Sequence, residues 1–189
     1  MQRGHRRRPA KRSPQRVKIS RVVSLVLLLA VVAAGTWLVL SRRGPASGGN
    51  LRVYYTKLDG TTLGTLSVSL RPRQPGESDV EHARNVALYA AVEAVAGPPS
   101  DVPAIHFPPG TRVLGVTLHG ETAYVDLSSD VDAQPGGSFA ENGEFKGLVY
   151  TLTGLPGVDA VGVTIAGRTV ETLPGGHLEL DEPLHRSDW

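Results

Sequence analysis

Apolar side chains fall along the chain in one long uncharged run, several short β-branched runs and two amphipathic stretches. The segment with the most internal order is residues 145–167, FKGLVYTLTGLPGVDAVGVTIAG. In it Phe145, Leu148, Val149 and Leu152 recur at i, i+3, i+4 and i+7, one face of a helix. Gly154-Leu155-Pro156-Gly157 cannot continue that helix, because proline lacks the amide donor and glycine favours the position past a helix end. Val158, Val161, Val163 and Ile165 then form a β-branched run that turns at Ala166-Gly167. The segment predicts helix, tight turn and buried strand.

Upstream, two β-rich runs at 51–58 and 63–70 flank Asp59-Gly60, a strong hairpin signal; the second is either a full strand or an extended excursion. Ser78-Asp79-Val80-Glu81 matches a capping box, and the helix it opens stops at Gly97-Pro98-Pro99. Its stripe of Ala83, Val86, Ala87, Ala90, Ala91, Ala94 and Val95 is rich in alanine, so the helix can lie close on a sheet. A second hairpin runs over 112–118 and 122–127, where Ala123, Val125 and Leu127 alternate with Thr122, Tyr124 and Asp126. Ser138-Phe139-Ala140-Glu141 offers another capping box, with Asn142-Gly143 leaving the helix start open by a few residues. Residues 168–173 are expected to add an edge strand and 174–189 an extended surface tail. The order β(β), α, β-hairpin, α, β predicts an α+β fold: a two-layer sandwich of one small mixed β-sheet with two helices on one face.

The uncharged run is residues 22–40, VVSLVLLLAVVAAGTWLVL, long enough for one transmembrane helix with Trp37 at its outer interface. A cleaved signal peptide is the competing reading, with Ala33-Ala34 near the cut, but the apolar run continues past that point. Charge supports the topology. Nine of the twenty Lys and Arg residues lie in residues 1–21 with no acid among them, which predicts a cytoplasmic N-terminus. The remaining eleven face all eighteen acidic residues, so the domain is acidic and a nucleic-acid role is disfavoured. The expected organisation is a basic tail at 1–21, a membrane span at 22–40, a Gly/Pro/Ser linker at 41–50 and an extracytoplasmic domain at 51–189.

Candidate chemistry is sparse. The chain has no cysteine, which excludes disulfides, thiolate metal sites and a Cys nucleophile. Asp130, Asp132, Gln134 and Glu141 reproduce positions 1, 3, 5 and 12 of a calcium loop, but Pro135 stands where that loop requires glycine, so a solvated acidic loop is the preferred reading. Asp126 and Ser128 raise the question of a hydrolase served by His82, His106, His119, His177 or His185; no Gly-x-Ser-x-Gly elbow surrounds Ser128. These two side chains are better read as satisfying loop backbone groups at a strand end. Tyr150 and Thr151 lie beside the apolar stripe of the second helix, either as a binding surface or partly buried against the sheet. No catalytic, cofactor or metal residue is assigned.

Several runs resemble the GerMN domain, the module named after the sporulation and spore germination protein GerM. They are Val53-Tyr54-Tyr55, the helix end at Ala96-Gly97-Pro98, Pro109-Gly110-Thr111-Arg112-Val113-Leu114-Gly115-Val116, Val125-Asp126-Leu127-Ser128, and the LVYTLTGLPGVDAV run at 148–161. At Ala166 the family often carries Asp, so any role of that carboxylate would be missing. The resemblance implies an extracytoplasmic, non-enzymatic module held at the membrane. It would act in envelope or sporulation-related assembly, with an envelope protein or a second copy as partner. A binding domain for a cell-wall polymer or small ligand is the alternative.

Overall fold

The computed structural model describes residues 49–133, 137–174 and 176–189. The basic tail at 1–21, the span at 22–40 and most of the linker lie outside them; among the described residues no helix is long and apolar enough to cross a membrane.

Strands β1 (Asn50–Thr56) and β2 (Leu63–Ser69) form an antiparallel hairpin, so the second run is a full strand. Asp59 shapes its turn by accepting the N–H groups of Thr61 and Thr62 at 3.0 and 2.8 Å. Helix α1 (Asp79–Ala96) starts at the capping box: Ser78 Oγ accepts the Glu81 N–H, Glu81 accepts the Ser78 N–H, and Gly97 ends the helix at φ 69. Strands β3 (Val113–His119) and β4 (Thr122–Leu127) make the second hairpin, with a bulge between Val113 and Gly115. A 3-10 turn (Ser129–Asp132) follows, then helix α2 (Gly137–Leu152) and strand β5 (Ala160–Ile165), which pairs parallel to β4.

One core gathers the alanine face of α1, Phe145, Leu148, Val149 and Leu152 of α2, and Val116, Val125, Val163 and Ile165 of the sheet. Residues 145–167 thus form the helix, turn and strand that their spacing predicts, and they are its centre. The fold is α+β.

Three expectations need correction. The strands form two sheets, β1-β2 and β3-β4-β5, rather than one. Towards its C-terminal end, the hydrogen-bonding capacity of β1 on the side away from β2 is taken elsewhere: Tyr54 N–H donates to Thr151 Oγ1 at 2.9 Å, and Thr56 C=O accepts Ile105 N–H at 2.9 Å. No ladder to the second sheet forms there. The second capping box does not form, because α2 begins at Gly137 and Glu141 Oε2 accepts the N–H groups of His177 and Leu178 instead. Residues 168–173 make only an isolated bridge, Ile165 to Arg168, rather than an edge strand. From Leu173 onward the chain returns to the domain, burying Leu173, Leu180 and Leu184, and Leu184 bridges to Val161 at the outer edge of β5.

Candidate functional site

The acidic residues of the β4–α2 connection are drawn to separate partners. Ser128 Oγ accepts the Arg112 N–H at 3.0 Å and donates to Asp130 Oδ2 at 2.8 Å. Asp126 Oδ1 accepts the Gly167 N–H at 2.8 Å and the Thr164 hydroxyl at 2.9 Å. Both side chains close loops, as the sequence reading favours. Glu141 is buried on α2 and is held by the backbone of the C-terminal segment, where Gly176 leaves room for its carboxylate. Asp132 lies on the 3-10 turn, and Gln134 lies outside the described residues. Among the described residues no three His, Cys, Asp or Glu side chains meet in a metal-binding group.

The five histidines of the domain are dispersed. His82 pairs with Glu77 at 3.2 Å, His106 lies against Gly97, and His119 meets the Tyr124 ring edge-on at 5.7 Å. His177 bonds Ser138 at 2.8 Å, and His185 is exposed near the terminus. None of them is hydrogen-bonded to Ser128. Thr151 is fully buried and bridges α2 to β1, whereas Tyr150 is half-buried beside Tyr54, ring centroids 6.0 Å apart. Arg186 covers that pair, 4.9 Å from the Tyr150 centroid, and donates to Tyr150 C=O and Thr153 Oγ1. Nothing in the sequence pattern singled out Arg186, because its partners are 33 and 36 residues away.

Burial also isolates one acid. Glu144, one turn after Glu141, is pushed up to about 7 by desolvation and by the neighbouring Glu141 charge.

One concave feature among the described residues is an open groove of about 1050 Å³. Its banks are β1 at Asn50 and Arg52, α1 at Ala83 and Val86, and the α2–β5 turn at Leu155 and Pro156. Register decides what β1 offers there. Gly49 and Lys57 bond towards β2, whereas Tyr54 N–H and Thr56 C=O bond away from it, so the even-numbered residues turn their backbone groups outward. Tyr54 and Thr56 are partnered; the N–H and C=O of Arg52 have no hydrogen-bond partner among the described residues. Sequence reasoning missed the groove because it arises from the gap left by the split of one sheet into two.

The Germane family pattern, described as sporulation and spore germination, matches residues 52–171. No curated protein matches the chain. Among solved structures, a candidate lipoprotein from Clostridium perfringens has 17% identity and a TM-score of 0.52, over 76% of this chain and 91% of that one. The tandem GerMN domains of the sporulation protein GerM from Bacillus subtilis give 20% identity and a TM-score of 0.52, over 75% of this chain and 47% of theirs. The first of those domains alone gives 19% identity and a TM-score of 0.50, over 74% of this chain and 99% of its own. At such identities the structural likeness speaks for the fold. The family match covers both hairpins, both helices and β5, and by it the chain belongs to the Germane family of sporulation and spore germination domains.

Proposed function

We propose that this chain is a membrane-held, extracytoplasmic GerMN module that works without catalysis by contacting other envelope proteins. The single observation that carries the protein-contact reading is the groove along β1, where a strand edge lies open beside apolar side chains. Strand edges left open in this way are where other chains add. The non-catalytic reading is supported by Asp126 and Ser128, which are committed to loop backbone groups and lack a hydrogen-bonded histidine. The extracytoplasmic placement rests on the uncharged run at 22–40 behind a basic tail, and one structural relative being named a candidate lipoprotein is in keeping with it. Photocrosslinking from the groove of the full-length protein in its own membrane tests the reading. Capture of defined envelope proteins supports it; a strictly monomeric protein that captures nothing sinks it.

The groove also favours a second reading. Thr65, Ser67 and Asn50 place hydroxyl and amide groups on its lining, as a site for a wall saccharide would require. Saturable binding to isolated wall material, lost on filling the groove, would select that reading.

A further inference from the structure

We infer that the groove along β1 takes an extended peptide segment of a partner protein, bound as an added strand with an acidic side chain facing Arg52. The inference rests on the protein-contact reading above and names the chemistry of the partner.

Three observations converge. The first is the backbone. Arg52 presents both an N–H and a C=O away from β2, unpartnered among the described residues, which is the hydrogen-bonding pair an incoming strand requires. At the far end of the edge Thr151 and Ile105 already occupy Tyr54 and Thr56. The open stretch is therefore short and suits a strand of about five residues.

The second is the alternation of faces. Arg52 is exposed on the outer face of β1, while Leu51 and Val53 on either side of it are buried in the core. A residue paired with Arg52 shares its outward face, and the residues flanking it point inward. Inward lie Leu66, Val86, Leu118, Leu155 and Val158, all lining the groove. The partner segment thus reads apolar, acidic, apolar.

The third is charge. Arg52 makes no ion pair among the described residues, whereas the other charged groups of the groove are engaged: Asp79 by Arg73 and His82 by Glu77. An opposite charge directly across from Arg52 stabilises the cross-strand pair, and a like charge destabilises it. A basic or uniformly apolar segment fits less well.

The experiment uses full-length protein and a fluorescein-labelled probe peptide, Thr-Val-Glu-Val-Thr, capped at both ends and followed by fluorescence anisotropy. Saturable binding is expected, weakened about tenfold when Lys replaces Glu in the probe. N-methylation of the central residue, which removes the donor for Arg52 C=O, is expected to abolish binding. Arg52→Glu, at an exposed position, is expected to leave the fold intact and reverse the preference in favour of the Lys probe. Equal binding of the methylated probe, or no change of preference in Arg52→Glu, overturns the inference. So does absence of binding, whether because a second copy, a saccharide or the residues preceding Gly49 fill the groove. Crosslinking separates this failure from failure of the wider reading. Partners captured from a probe placed at Tyr124, on the other sheet, but not from one at Arg52, leave protein contact standing and remove the groove from it.

Discussion

Thr151 Oγ1 accepts the amide proton of Tyr54 and donates its own to Gly147 C=O, so one hydroxyl joins α2 to β1 across 97 residues of sequence. Thr151→Val keeps the shape and removes the acceptor. It leaves the Tyr54 N–H without its partner, and a loss of about 1–3 kcal/mol is expected in urea unfolding. Thr151→Ser, which restores the hydroxyl, is expected to recover most of it.

The helix can come that close because its facing positions are small. A Cβ on Gly147 would lie 3.1 Å from Tyr54 C=O and 3.4 Å from Tyr55 Cα, both backbone atoms that cannot rotate away. Gly147→Ala is therefore expected to destabilise by about 1–2 kcal/mol, outweighing the gain of about 1 kcal/mol in helix propensity. At Gly143 a Cβ would meet Ile105 along its whole branch, including Cγ2 at 3.1 Å and the fixed Cβ at 3.2 Å, so Gly143→Ala is expected to be at least as costly. Amide exchange of β1 in the two variants reads the difference.

Glu144 predicts a pH dependence of stability. Its carboxyl, ordinarily near 4.5, titrates at about 7 in the folded chain, so folding favours the protonated form. That contribution is complete below about pH 4.5 and is lost as pH rises through about 7. Glu144→Gln is expected to match the parent near pH 4.5 and to exceed it by about 1–2 kcal/mol at pH 8, a figure reduced for partial solvent screening. Urea titrations at the two pH values check it.

Ala166 holds φ 48 between β5 and Gly167, a conformation that costs a Cβ-bearing residue about 1 kcal/mol and that Asn and Asp tolerate. Ala166 is therefore a strained residue at this turn. Ala166→Asn is expected to raise the melting temperature, by about 0.5–1 kcal/mol of stability. A calorimetric scan showing no gain would remove the argument.

Arg186 closes the C-terminal end of α2 through Tyr150 C=O at 2.9 Å, Thr153 Oγ1 at 2.7 Å and the Tyr150 ring. Arg186→Ala is expected to cost about 1–2 kcal/mol. Arg186→Lys keeps the charge but not the forked geometry, so it should recover only part. Guanidinium chloride midpoints of the three proteins rank them.

What the sequence revealed follows from the range of each interaction. The first capping box spans three residues, and the α2 stripe and the β4 alternation are periodic; all three are formed. The failures are long-range. Ser138 and Glu141 have the spacing of a cap, but Glu141 meets His177 and Leu178 from the far end of the domain and leaves the helix start. The expected single sheet depends on β1 reaching a neighbour, and Thr151 and Ile105 reach it first. The groove is a consequence of that competition, so no local pattern could announce it.

The bridge between Leu184 and Val161 has a bearing on when this domain can fold. Leu173, Leu180 and Leu184 enter the core from beyond the residues matched by the family pattern. Until the chain has been synthesised through Leu184, Val161 lacks its bridging partner and the core is incomplete. Completion of the core is thereby tied to residues 173–184 rather than to the segment that the family pattern covers.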